Sequence, residues 1–184
     1  MRKLILPLLM FTQTVLAENL AFISNQLDNS VSVIDVAKSN VTATIAVAGK
    51  PAGVAINHVK RKAYISTPEQ GGFAVIDIPT LKLTQQVKVG GASLGISVDH
   101  QGQRIFVADW YENTVAVFDS TTLERLHTIT VGKSPSGMVV SPDDQWLYVA
   151  NRMDDSISQI DLHKYGYFTT SLSCELDGQH RISH

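Results

Sequence analysis

The chain has little cysteine, no excess of positive charge and, beyond its first residues, no long apolar run. Cys174 is the one cysteine among 184 residues, which excludes an internal disulfide and the C-x-x-C-H run that attaches a c-type haem. Its 15 Lys and Arg against 17 Asp and Glu give a formal net charge of −2. That balance does not provide the basic surface that nucleic acid or an anionic membrane requires. No window carries a sustained 3.6-residue apolar period, so no long helix is predicted.

The N-terminal segment is typical of a secretory signal peptide. Arg2 and Lys3 precede an apolar run from Leu4 to Phe11, and Ala17 offers a small residue at a cleavage point. The run is shorter than the ~20 apolar residues that a membrane-spanning helix needs. We therefore predict that residues 1–17 are a leader, with a mature start near Glu18 and a destination in the periplasm or outside the cell.

What the chain does have is an internal repeat with a period of 42 residues. Self-similarity at a period of this length is typical of solenoids, propellers and arrays. The period brings into register four aspartates and three glycines, namely Asp35, Asp77, Asp119, Asp161, Gly53, Gly95 and Gly137.

Each repeat unit divides into four short strands separated by turn residues. In the third unit the predicted strands are Gly95 to Asp99, Arg104 to Asp109, Thr114 to Asp119 and Arg125 to Val131. The second strand of each unit is apolar on both faces, whereas the fourth alternates apolar and polar residues. A four-stranded sheet between two similar sheets, with its last strand at the rim, explains both patterns. The sequence therefore predicts an all-β propeller over residues 18–161, with about 3.5–4 four-stranded blades present.

The repeated strands resemble those of the YVTN-repeat β-propeller family. The second strands read FISN, YIST, FVAD and YVAN, and the third strands read VSVID, FAVID, VAVFD and ISQID. The resemblance covers residues 20–161 and implies an exported or surface-associated propeller. Related propellers include WD-type scaffolds, sugar lactonases and the d-type haem domain of nitrite reductases, so the resemblance narrows the fold more than the activity.

The repeat pattern stops after Asp161. Residues 162–184 form a tail outside the repeat, which we interpret as the mark of a truncated or frame-shifted member of the family; a divergent capping segment is the alternative. The first unit has no counterpart of the innermost strand, and the fourth lacks a recognisable outermost one. Both end blades would then expose apolar faces, so we predict self-association through them, either as a dimer or as aggregates.

The residues that suggest catalysis have simpler explanations. The four in-phase aspartates each precede a tight turn, where a carboxylate accepts backbone N–H bonds, and the in-phase glycines mark steps between units. We therefore predict structural turn roles for Asp35, Asp77, Asp119, Asp161, Gly53, Gly95 and Gly137. The six histidines show no metal-ligand spacing, and Gly132-Lys133-Ser134 lacks the earlier glycine and the helix of a phosphate-binding loop. We predict no catalytic residue, metal or cofactor.

Surface recognition is the function that the sequence supports. On a propeller, the loops between second and third strands and those between blades gather on one face. They carry a polar set of six residues: Asp28, Gln70, Glu112, Asp154, Lys50 and Lys133. We expect a binding or scaffold module that recognises a protein or a small ligand through this face. The alternatives are a loop face that is only solvated, a fragment of a lactonase-like or haem-associated enzyme, and a product without function.

Overall fold

The computed structural model describes residues 19–164 and 167–168. The predicted leader and the tail after residue 168 lie outside the described residues, so export remains a prediction. Within the described part, no helix is long and apolar enough to cross a membrane.

The described chain forms four antiparallel sheets and a single 3-10 turn. The first sheet contains β1 (Leu20–Asn25), β2 (Ser30–Asp35) and β3 (Asn40–Ala46). The second contains β4 (Val54–Asn57), β5 (Lys62–Thr67), β6 (Gly72–Asp77) and β7 (Lys82–Lys88), with the 3-10 turn at Pro68–Gln70. The third contains β8 (Ser93–Val98), β9 (Arg104–Asp109), β10 (Thr114–Asp119) and β11 (Arg125–Thr130). The fourth contains β12 (Pro135–Val140), β13 (Trp146–Asn151), β14 (Ser156–Asp161) and β15 (Tyr167–Phe168).

The prediction of a partial all-β propeller is confirmed. Strands follow one another in chain order across every sheet, and β4, β8 and β12 are the inner strands. In the described residues the first sheet has three strands and no inner one, as expected. The fourth sheet differs from expectation, because the two-residue β15 pairs with β14 in the outermost place.

The third sheet shows how closely the sequence located the strands. Both β9 and β10 have the predicted bounds, and β11 ends one residue early. The inner strand β8 begins at Ser93 rather than Gly95, because Ser93 already pairs with Asp109 across an irregular step. The outermost strand is solvent-exposed, as predicted, since the side chains of β7 are mostly exposed.

Consecutive sheets pack face to face through three apolar clusters. We call the face that each sheet turns toward the next sheet its front face, and the opposite one its back face. Between the third and fourth sheets, the front-face residues Phe106 and Val115 meet the back-face residues Leu147 and Val149, and all four are fully buried. Equivalent clusters join the first sheet to the second and the second to the third. The inner strand β8 contacts both β4 and β12, so the sheets fan out from their inner strands.

Two of the three in-phase glycines, Gly53 and Gly95, lie where the inner strand of the next sheet passes closest. A Cβ added to Gly53 would lie 3.0 Å from the carbonyl oxygen of Leu94, and one added to Gly95 would overlap the carbonyl oxygen of Ser136. A Cβ on Gly137 would meet only the Ala150 Cβ, at 3.9 Å. The first two glycines are therefore required by sheet packing, whereas no described neighbour restricts the third.

Candidate binding face

One end of the sheet stack gathers two kinds of connection. The first kind is the turn between second and third strands, at residues 25–30, 67–72, 109–114 and 151–156. The second kind is the step from one sheet into the next, at residues 47–53, 89–93 and 131–135. Each inner strand begins opposite the end of the second strand, as the pairing of Pro135 with Asn151 shows. Both kinds of connection therefore lie at the same end, which we call the loop face.

The predicted polar set lies on the loop face but does not form a closed ring. Asp28, Glu112, Asp154 and Lys133 are exposed, and Lys50 and Gln70 are half-buried. Lys133 and Asp154 come together: the Lys133 backbone N–H donates to Asp154 Oδ2 at 2.6 Å, and the Lys133 Nζ lies 3.7 Å from Asp154 Oδ1. An exposed pair at that distance contributes little stability. The six residues of the polar set therefore lie on the surface of the loop face and do not enclose a polar pocket.

Asparagine side chains fasten the two kinds of connection together. Asn29 Oδ1 accepts the backbone N–H of Lys50 at 2.9 Å, and Asn113 Oδ1 accepts that of Ser134 at 2.9 Å. Both asparagines adopt the left-handed conformation, with φ of 50° and 55°, which asparagine tolerates better than most residues. These bonds hold each turn against the step that follows it.

The step between the second and third sheets is held by a carboxylate instead. Gly71 occupies the position of Asn29 and has no side chain to offer. The buried Asp109 replaces it, since its Oδ1 accepts the backbone N–H of Ala92 at 3.2 Å. The same oxygen accepts the N–H groups of Tyr111 and Glu112, both at 3.1 Å. Asp109 therefore fixes the turn that carries Tyr111.

Large apolar side chains project from the tips of three of these turns. Leu27, Tyr111 and Met153 are 83%, 74% and 67% exposed. They occupy one position of the 42-residue repeat, and Glu69 holds that position in the second sheet. Their exposure is not evident from the sequence, although they directly precede Asp28, Glu112 and Asp154 and share the period of the polar set. Exposed apolar residues scattered singly are ordinary, but three at one repeat position on one face form a candidate contact surface.

An aromatic and a guanidinium group lie together beside these tips. The Arg152 guanidinium carbon is 5.7 Å from the centre of the Trp110 ring, and Trp110 is half-buried. Tryptophan, tyrosine, methionine and arginine are the residue types enriched in protein interfaces. The loop face therefore carries apolar and aromatic side chains, as well as Arg152, in addition to the predicted polar set.

The four in-phase aspartates lie at the opposite end. Asp35 Oδ1 accepts the N–H of Lys38 at 3.0 Å, and Asp77 Oδ2 accepts that of Thr80 at 3.1 Å. Asp119 Oδ1 accepts the N–H groups of Thr121 at 2.7 Å and Thr122 at 2.8 Å. Asp161 Oδ1 accepts those of His163 at 2.8 Å and Lys164 at 3.2 Å. Each carboxylate thus closes its own turn.

These bonds lower the pKa values of the four carboxylates. The Lys38 ammonium and N–H lower the pKa of Asp35, and the Thr80 hydroxyl with the Lys62 ammonium lowers the pKa of Asp77. Backbone N–H groups lower the pKa of Asp119 and of Asp161. All four are therefore ionised at neutral pH and saturated with local partners, which suits turns rather than proton transfer.

Among the described histidines, His100 has a local structural role. The His100 Nδ1 lies 2.8 Å from Asp144 Oδ1, and this carboxylate also accepts the backbone N–H groups of His100 and Gln101. Asp144 thereby joins the fourth sheet to the third. Among the described residues, no group of three or more His, Cys, Asp or Glu is arranged to hold a metal ion.

Comparison with known proteins supports the fold. No protein-family model and no curated protein matches the sequence. Among solved structures, the chain is similar to the hydrazine synthase of Kuenenia stuttgartiensis, a β-propeller-containing protein, with a TM-score of 0.73 and 26% sequence identity. The match covers 78% of this chain and 43% of that one. The chain thus spans less than half of the structure that it resembles, and the shared feature is the propeller.

Proposed function

We propose that the chain is a non-catalytic protein-binding module of the YVTN-repeat type, exported from the cell, that recognises its partner through the loop face. The observation that carries the proposal is the exposed trio Leu27, Tyr111 and Met153 at one repeat position. A solvated loop face has no need of three large apolar tips, whereas protein interfaces are anchored by such residues.

The support beneath the tips favours binding. Asp109 fixes the turn of Tyr111, and Asn29 and Asn113 fasten neighbouring steps. A surface held in place before contact loses less conformational freedom on binding. The tips also project outward, and small-molecule sites are enclosed and concave. We therefore favour a protein partner over a small ligand.

Site-specific photo-crosslinking tests the proposal in the cells that naturally make the protein. A photoreactive phenylalanine analogue at position 111 should yield a discrete adduct, and Leu27→Ser together with Met153→Ser should reduce its yield at least tenfold. The matched control places the analogue at Val59, which is 65% exposed on a turn at the opposite end. Equal adducts at both positions, or none at position 111, would refute a loop-face partner.

A further inference from the structure

The front face of the fourth sheet carries the surface that the other sheets bury. In the third sheet the front-face residues Phe106 and Val115 are fully buried by the sheet that follows. The same repeat positions in the fourth sheet hold Tyr148 and Ile157, and Ile157 is 39% exposed. A depression of about 330 Å³ lies over them and extends to Val139, which is 61% exposed.

The back face of the first sheet is the complementary surface. Ile23 occupies the position of Ile65 and Val107, which are fully buried against the preceding sheet, yet Ile23 is 49% exposed. Ile34, on the same face, is half-buried, whereas its counterpart Ile76 is fully buried. The chain therefore presents both halves of an interface that it already forms three times internally.

We propose that the chain self-associates head to tail, with the front face of the fourth sheet of one copy packed on the back face of the first sheet of a second copy. The interface continues the sheet-to-sheet packing already present within each copy. Each face offers roughly 500 Å² of apolar surface, within the ~300–600 Å² of the largest patch on a typical monomer. One contact then buries about 1,000 Å² in total, the lower bound for a specific interface.

The internal interfaces also predict one polar contact. The Tyr64 hydroxyl donates to the carbonyl oxygen of Ser120 in the next sheet, at 3.4 Å. Tyr148 is the counterpart of Tyr64 two periods later, and Val36 is the counterpart of Ser120 two periods earlier. In the proposed contact the Tyr148 hydroxyl therefore donates to the Val36 carbonyl oxygen of the second copy.

Such a contact joins two different surfaces, so it can be tested by complementation. The purified full chain should show a weight-average mass at least twice that of the monomer in sedimentation velocity at tens of micromolar. Ile157→Glu blocks the front face and Ile23→Glu blocks the back face, so each variant alone should be monomeric. An equimolar mixture should recover dimers, because each variant retains the face that the other lacks.

Controls separate this outcome from unfolding and from the loop face. Val59→Glu, at an exposed turn, and Tyr111→Ser, on the loop face, should both associate as the unsubstituted chain does. Circular dichroism should show that both glutamate variants keep the β fold, since Ile23 and Ile157 are partly exposed already. A monomeric unsubstituted chain, or a mixture that stays monomeric, would overturn the proposal without bearing on the loop face.

A substitution at Gly137 tests which kind of sheet packs on the front face of the fourth sheet. The proposal places there the first sheet of a second copy, and the alternative is a complete four-stranded sheet. The first sheet has no inner strand in the described residues, so nothing in it approaches Gly137 as Ser136 approaches Gly95. Gly137→Ala, which adds one Cβ that would meet only the Ala150 Cβ, should therefore leave association unchanged. Loss of association in this variant would mean that a sheet with an inner strand covers the face, which contradicts the proposal.

Discussion

At the scale of single residues, position in the repeat decides how much a side chain matters. Gly53, Gly95 and Gly137 are equivalent in sequence, but only the first two are approached by a neighbouring carbonyl. The turn aspartates are equivalent in both sequence and role, because each bonds to the turn that follows it and needs nothing from the next sheet. Local chemistry is thus readable from the sequence, and the surroundings of a glycine are not.

The glycines give a matched pair of substitutions. Gly95→Ala should lower the free energy of unfolding by about 3 kcal/mol, because its Cβ overlaps the Ser136 carbonyl oxygen and the sheets must separate. Gly137→Ala should change it by less than ~0.5 kcal/mol, since its Cβ has open space. Urea denaturation of both variants measures the difference. Equal losses would show that the two glycines are equally enclosed in solution.

The carboxylates predict a loss of stability in acid. Asp35, Asp77, Asp119 and Asp161 have pKa values below the ordinary value in the folded chain, because ammonium, hydroxyl and N–H donors stabilise the ionised form. The unfolded chain therefore binds more protons in the window between the two sets of pKa values. Stability should be constant from about pH 7 to 5 and fall as the pH drops below about 4.

Denaturant midpoints measured between pH 7 and 2.5 check this dependence. Asp77→Asn keeps a turn-forming side chain but removes the charge, so its stability should fall less steeply in acid than that of the unsubstituted chain. A midpoint that rises below pH 4 would contradict the assignment of these carboxylates.

At the scale of elements, hydroxyl groups connect one sheet to the next. Ser66 Oγ accepts the N–H of Gly53 at 2.7 Å and donates to the carbonyl oxygen of Leu94 in the third sheet at 2.6 Å. Ser24 Oγ makes only the second kind of bond, to the carbonyl oxygen of Ala52 at 2.6 Å, because its sheet lacks an inner strand. The absence of an inner strand beside β1 therefore leaves Ser24 with one of the two hydrogen bonds that Ser66 makes.

Ser66→Ala should lower the free energy of unfolding by about 2 kcal/mol, because it leaves a buried N–H and a carbonyl without partners. Ser24→Ala should cost about 1 kcal/mol, since one bond is lost. Thermal denaturation of the two variants compares them directly. A larger cost at Ser24 than at Ser66 would argue against the bridging role.

Strand positions were predictable because the repeat supplies three readings of each element. The bounds of β9 and β10 were predicted correctly, and both follow a turn with clear residue preferences. The strand β15 was not predicted, because its pairing with β14 depends on tertiary contact rather than on a repeat motif. The tips Leu27, Tyr111 and Met153 were passed over because exposure, unlike period, depends on where the turn projects. The polar set lies on the loop face, but of its six members, all within the described part of the chain, only Lys133 and Asp154 contact each other.

At the scale of the whole molecule, the stack of four sheets has two different ends, because each sheet packs its front face on the back face of the next. Every sheet presents one kind of surface forward and another backward, so the two ends differ in shape and in the residues that they expose. The loop face runs along one side of this stack, independent of both ends. The proposed partner binding and the proposed self-association therefore involve separate surfaces.

The predicted export concerns the whole chain and has its own test. Expressed in a bacterium with a periplasm, the protein should be recovered there without residues 1–17, with Glu18 at its N-terminus. Ala17→Leu should slow processing, because the cleavage point favours small residues. Intact-mass measurement of the fractionated protein checks both outcomes. An unprocessed protein in the cytoplasm would contradict the predicted leader.

The sameness of the three internal interfaces has a genetic consequence. Because the three interfaces place apolar residues at the same repeat positions, an in-frame gain or loss of one internal 42-residue unit would leave both terminal surfaces as they were. Recombination between repeats could thus lengthen or shorten this architecture in one event.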